Sequence, residues 1–152
     1  MGRRNELKIL HTLAGGAFAL AAFSVSAGSC MAAGALAAGI PDDVAKQGLS
    51  LYTEVNSPTT KRAQQLALEG CKKIGSSTSK ALCKVVATFS NQCAAEAMDP
   101  KDGTPGYGWA IADTTDDARK EAMAKCRATA GPDRQDACQV DDRSLWCDGS
   151  AK

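Results

Sequence analysis

The sequence predicts an α+β fold: an antiparallel sheet with two helices packed on one face, built from two copies of a β-α-β unit and stapled by disulfides. Three observations carry this. The chain matches itself when shifted by fifty-five positions. Its cysteines fall at matching places in the two copies. Within each copy the apolar period switches from two, the mark of a strand, to about 3.6, the mark of a helix.

The match runs through the whole unit. Tyr52 falls on Tyr107, Thr59 and Thr60 on Thr114 and Thr115, Ala63 on Ala118, Ala67 on Ala122 and Leu68 on Met123. Cys71 falls on Cys126, Cys83 on Cys138 and, after a one-residue gap, Cys93 on Cys147. The copies span about residues 49–97 and 104–150.

Each copy opens with an extended piece. In the second, alternation puts Tyr107, Trp109 and Ile111 on one face and Gly108, Ala110 and Ala112 on the other. A helix follows. Thr114 and Thr115 are capping candidates, with Asp116 and Asp117 in the first turn, where negative charge suits the helix dipole. In the first copy Ser57 and Pro58 mark the same start. The stripe Ala63, Ala67, Leu68, Cys71, repeated as Ala118, Ala122, Met123, Cys126, turns each cysteine toward the core at the last helical turn. Turn residues come next, then strands over residues 83–89 and 138–140, and in the first copy a further extended piece over residues 92–98. Residues 99–103 read as the turn that joins the copies. A ferredoxin-like sheet is one layout that satisfies this order.

The first forty residues read as an export signal. Arg3, Arg4 and Lys8 precede a stretch without Lys, Arg, Asp or Glu over residues 9–40, apolar and rich in small residues. Two cleavage sites fit, after Ala27 and after Ala37. An uncleaved anchor, a lipidated Cys30 and a twin-arginine signal are the competing readings; a membrane contact is expected only if the N-terminus is retained or lipidated at Cys30. Cysteine parity favours the later cut. Of seven cysteines it removes Cys30 and leaves an even six, the mark of a disulfide frame in an exported chain. The expectation is therefore a cleavable signal peptide over residues 1–37, and a single periplasmic or secreted domain over residues 38–152.

Equivalent cysteines should pair equivalently. Cys71 to Cys83 and Cys126 to Cys138 have equal spacing, which predicts Cys71–Cys83 and Cys126–Cys138, with Cys93–Cys147 as a third bond linking the copies. A thiolate metal site is disfavoured because there is no CxxC knuckle.

Losing Arg3, Arg4, Lys8 and Glu6 takes the formal charge from +1 to −1, which does not support a nucleic-acid footprint. There is no nucleotide-binding loop, and neither a cofactor nor a metal is expected. The only histidine, His11, lies in the signal. Ser–His and Cys–His catalysis and His-containing zinc sites therefore have no residue to stand on in the domain.

The sequence resembles the bacterial family of unknown function numbered 4189. The residues that carry the resemblance are the stripe Ala63 to Cys71, Cys83 to Val85, Asn91 to Ala95, Tyr107–Ala112, and the second stripe ending at Cys126. It covers about residues 48–148. The resemblance implies small exported proteins with paired cysteine repeats; it brings no activity and no catalytic residues.

Carboxylates are the remaining catalytic material. Asp116 with Asp117 and Asp141 with Asp142 are adjacent pairs, and Glu96 and Asp99 lie near a turn. Helix-start and turn roles explain most of them better than a glycosidase pair, which must face across a cleft. Residues 99–103 lack the alternating acids of a calcium loop. Tyr107, Trp109 and Trp146 are either core or an exposed aromatic patch for a partner. The expected function is an exported, disulfide-bonded binding module of the cell envelope, of the inhibitor or immunity type, recognising a protein or an envelope glycan. A carboxylate-dependent envelope hydrolase and a structural or stress protein are the alternatives.

Overall fold

The computed structural model describes residues 32–152. It contains two antiparallel three-stranded sheets with the same strand plan. The first holds β1 (Ala33–Gly39), β2 (Ser50–Ser57) and β3 (Lys84–Phe89), in the order β2-β1-β3. The second holds β4 (Cys93–Met98), β5 (Tyr107–Ala112) and β6 (Leu145–Cys147), in the order β5-β4-β6. Among the described residues there are also four α-helices, α1 (Val44–Gln47), α2 (Thr60–Cys71), α3 (Ser77–Ala81) and α4 (Thr115–Thr129), and two 3-10 helices, Pro132–Ala137 and Asp142–Ser144.

The α+β class and the disulfide stapling are as the sequence predicts. The repeating unit is one strand longer. Each half is β-β-α-β, over residues 33–89 and 93–147, and the halves meet at the short turn Ser90 to Gln92. The one expected sheet is two because each half closes its own ladder: β1 pairs with β2 and β3, and β4 with β5 and β6. Residues 99–103 belong to the β4–β5 hairpin, not to a link between copies. The strand expected over residues 138–140 reduces to one bridge, Met98 to Gln139, and the third strand of that half comes later as β6.

The expected domain start is Ala38. It falls inside β1, the middle strand of the first sheet, whose seven residues are all buried. The run of Ala and Gly that reads as a leader exit is a central strand, apolar on both faces, as a strand covered on both sides must be. Its residues are small because α2 lies close above it. Ala33, Ala35 and Ala37 pack on Ala63, Ala67 and Cys71. Residues 1–31 of the leader expected over residues 1–37, with Cys30, lie outside the described residues.

The two helices do not share a face. α2 covers the outer side of the first sheet, while α4 covers the outer side of the second through Ala118, Ala122 and Cys126 against Ala95, Ala97, Ala110 and Ala112. Leu36, Ala38 and Leu51 point the other way and pack with Trp109 of the second sheet, so the inner faces of the two sheets meet. The layers run helix, sheet, sheet, helix. α4 begins as expected, with the hydroxyl of Thr114 accepting from the N–H of Asp117 at 3.2 Å, whereas α2 begins later than Ser57 and Pro58 predict: Ser57 ends β2, and the cap is Thr59, whose hydroxyl accepts from the N–H of Arg62 at 3.2 Å.

Close helix–sheet approach requires small residues. A Cβ on Gly108 would run into the backbone of Ala122 and Cys126. The disulfides hold these layers. Cys71–Cys83 and Cys126–Cys138 tie each long helix to the segment after it, both with a Cα–Cα distance of 6.0 Å. Cys93–Cys147 does not link the halves. It joins neighbouring strands β4 and β6 inside the second sheet, where the two residues face each other at 4.0 Å between Cα atoms.

Candidate functional site

The inner face of the second sheet gathers most of the residues singled out by the sequence. Along β4 the alternation puts Cys93, Ala95 and Ala97 on the helix side and leaves Ala94 and Glu96 on the inner side. Glu96 faces Trp109 across the ladder, and Ala94 lies between Ile111 and Trp146. Tyr107, Trp109 and Trp146 are half-buried. Trp109 serves two roles at once: it joins the inter-sheet core, and its ring lies 5.0 Å from the Lys125 ammonium.

Glu96 is 5 % exposed. Its one hydrogen bond crosses to the first sheet, where the hydroxyl of Thr53 donates to it at 2.9 Å. Burial pushes its carboxyl up to about 7, and the Thr53 bond opposes this only in part. Sequence reasoning placed Glu96 near a turn and missed its burial. Three flanking alanines were the available signal, since they mark a strand with no room for solvent.

The other acids are dispersed. Asp99 sits at the β4–β5 hairpin, where Arg134 grips it through two hydrogen bonds, at 2.8 and 2.6 Å, and the Lys101 N–H adds a third at 3.0 Å. The Arg134 guanidinium holds its carboxyl down at about 2. Asp116 and Asp117 occupy the first turn of α4. Asp141 pairs with Arg143, and Asp142, fully exposed, with Arg119. None of these acids bonds to Glu96. No cluster of three or more His, Cys, Asp or Glu side chains is arranged to hold a metal among the described residues.

A polar clasp that the sequence did not reveal lies at one end of the halves. The buried Asp148 accepts from the backbone N–H of Asn56 at 2.7 Å and of Asn91 at 3.3 Å. In return Gly149 donates to the side chain of Asn56 at 2.9 Å. Both asparagines have positive φ, 58° and 52°, a conformation asparagine tolerates better than most residues.

Among the described residues, three clefts flank the sheets, one of them, of about 290 Å³, beside Ala33 and Pro58; two involve strand connections or edges. One of about 350 Å³ lies between the β1–β2 connection and the β4–β5 hairpin. The other, of about 240 Å³, runs between β2 and α2.

The repeat plan, the disulfides and the layering define a small disulfide-stapled α+β domain made of two β-β-α-β halves. A family model described as Domain of unknown function (DUF4189) matches residues 33–143, and the chain belongs to that family. The match begins at the first residue of β1. No curated protein and no solved structure matches the chain. Three disulfides fit folding in an oxidising compartment, and among the described residues no helix is long and apolar enough to cross a membrane.

Proposed function

We propose that this chain is an exported, disulfide-bonded binding module of the bacterial cell envelope, periplasmic or secreted, of the inhibitor or immunity type. Cleavage after Ala27 is the export site that leaves β1 whole. The observation that carries the reading is the set of half-buried aromatic side chains, Tyr107, Trp109 and Trp146, on a sheet fixed by Cys93–Cys147 and Cys126–Cys138. Rigid aromatic side chains lose little conformational freedom on binding, and a stapled sheet leaves little to reorganise. The residue inventory supports the same view, because a chain whose only histidine is His11 brings no imidazole base to residues 32–152.

The test is affinity capture from envelope and culture-medium extracts with the oxidised chain. The reduced chain and a Tyr107→Ala/Trp146→Ala variant serve as controls. One partner, protein or glycan, held by the oxidised wild type alone is the expected result. Equal retention by the variant would remove the aromatic surface from the reading.

A second reading, a carboxylate-dependent envelope hydrolase, has Glu96 in its favour. A carboxyl held near neutrality is what a general acid needs. Turnover of peptidoglycan fragments by the wild type, abolished in Glu96→Gln, would establish it over the binding module.

A further inference from the structure

The two halves share a plan but treat their edge strands differently. In the second half α4 stitches the outer edge of β5. Lys125 donates to the Trp109 carbonyl at 2.9 Å, and the Thr129 hydroxyl accepts from the Tyr107 N–H at 2.8 Å. The Tyr107 N–H and C=O and the Trp109 C=O are thereby taken, which is one way a sheet protects an edge from further pairing.

In the first half the residues at the matching positions, fifty-five earlier, are Gly70, in the last turn of α2, and Ile74, just beyond it. Neither can form such a bond. Between helix and strand stands Tyr52 instead. It lies opposite Ala37 in its ladder, the place that Gly108 takes opposite Ala97 in the second half. The Tyr52 ring fills the space a Cβ on Gly70 would occupy. An aromatic ring thus separates α2 from β2 where a glycine lets α4 close on β5. The result is the cleft of about 240 Å³ along an edge strand that pairs with β1 alone. Outside that ladder, no backbone or side-chain group bonds to the N–H or C=O of Leu51 or Thr53 among the described residues.

The cleft has a definite chemistry. Leu66 and Ile74 give it an apolar wall, Ile74 being 41 % exposed. Glu54 and Glu69 outnumber Lys73, the one cation along it. A groove between an edge strand and a helix is the shape that accepts an added strand, with main-chain bonds for affinity and alternate side chains for selection.

The geometry points to a peptide-binding groove between β2 and α2. It takes an extended segment of a partner protein that pairs with β2, seats an aliphatic side chain between Leu66 and Ile74, and directs a Lys or Arg to Glu54 and Glu69. This surface is separate from the aromatic face of the second sheet, and it stands or falls by itself.

Selection of a phage-displayed library of random short peptides on the oxidised chain tests it. The expected winners carry an aliphatic residue two positions from a Lys or Arg. Labelled with a fluorophore, a winner should perturb the amide resonances of Leu51, Tyr52, Thr53 and Ile74. Its affinity should fall about tenfold or more in Ile74→Glu, the loss typical of a central contact. Selection on Glu54→Lys/Glu69→Lys should shift the winners toward acidic residues. Unchanged near-ultraviolet circular dichroism shows that the variants fold. Failure to enrich any peptide, or winners indifferent to both variants, would overturn the groove. Perturbations confined to Trp109 and Trp146 would also overturn it while supporting the aromatic surface. Concentration-dependent dimerisation with shifts along β2 would assign the edge to a second copy and overturn the peptide.

Discussion

Thr53 on β2 donates a 2.9 Å hydrogen bond to Glu96 on β4, across the junction of the two sheets and 43 residues along the chain. A neutral carboxyl suits such a place; an ionised one loses its hydration and gains a single hydroxyl in return.

The first prediction concerns pH. The folded chain holds the Glu96 proton to about 7, and an unfolded one releases it near 4.5. The contribution is therefore full below pH 4.5 and is lost as pH rises to 7, by about 3 kcal/mol at most. Asp99 acts in the opposite sense at lower pH. Held at about 2 by Arg134, it contributes above its ordinary 3.8 and loses that contribution as pH falls toward 2. With the only histidine at His11, no imidazole of residues 32–152 blurs the window between 4.5 and 7. Thermal melts of Glu96→Gln should show it gaining on the wild type from pH 5 to pH 8. Parallel melting curves for the two proteins across that range would refute the buried-acid account.

Packing under α4 gives the second. Gly108→Ala should destabilise by about 1–3 kcal/mol, because its methyl meets the backbone of Ala122 and Cys126 and neither can move alone. Gly131→Ala is the control, as nothing lies near its Cβ position and its φ is −60°. Urea denaturation should separate the two clearly; equal midpoints would mean that helix and sheet are looser than the structure shows.

The clasp gives the third. Asp148→Ala leaves the N–H groups of Asn56 and Asn91 without their acceptor and should lose about 1–3 kcal/mol. Hydrogen exchange should accelerate at those two amides first. Acceleration spread evenly over the chain would instead mean that the clasp is not a separate unit.

For the fourth, Cys71→Ala/Cys83→Ala removes a bond closing a short loop, sequence separation 12, and should lower stability by about 3 kcal/mol. Mass mapping of the remaining cysteines should still find Cys93–Cys147 and Cys126–Cys138. Scrambled pairs would show that the first bond directs the others.

The disulfide pairs were legible because repetition limits choice: equal spacings repeated in register favoured Cys71–Cys83 and Cys126–Cys138, which left Cys93 and Cys147 for each other. β5 and the capped start of α4 were legible for local reasons, alternation in one case and the Thr114 hydroxyl in the other, while Ser57 and Pro58 marked the start of α2 too early because β2 runs on to Ser57. β1 was hidden by its own composition. A strand pressed beneath a helix needs Ala and Gly, and so does the exit of an export signal. The split into two sheets depends on which strands find each other at long range, which no local pattern encodes. Glu96 was misjudged for a related reason, since its hydrogen-bond partner Thr53 belongs to the other half. Tyr52 was matched to Tyr107 by sequence, yet the ladders match it to Gly108, because the register of β2 shifts by a bulge near Asn56.

The middle position of β1 bears on the order in which the molecule can assemble. Gly34 pairs with Phe89, so a chain emerging N-terminus first carries β1 with one side unpaired until Phe89 has followed it. The second half repeats the problem, with β4 waiting for a strand of three residues near the end of the chain. Each half is thus completed by its last strand. A ribosome paused before residue 89 would hold an alanine-rich hairpin with the β1 edge bare as well as that of β2, and a bare strand edge is a template for aggregation.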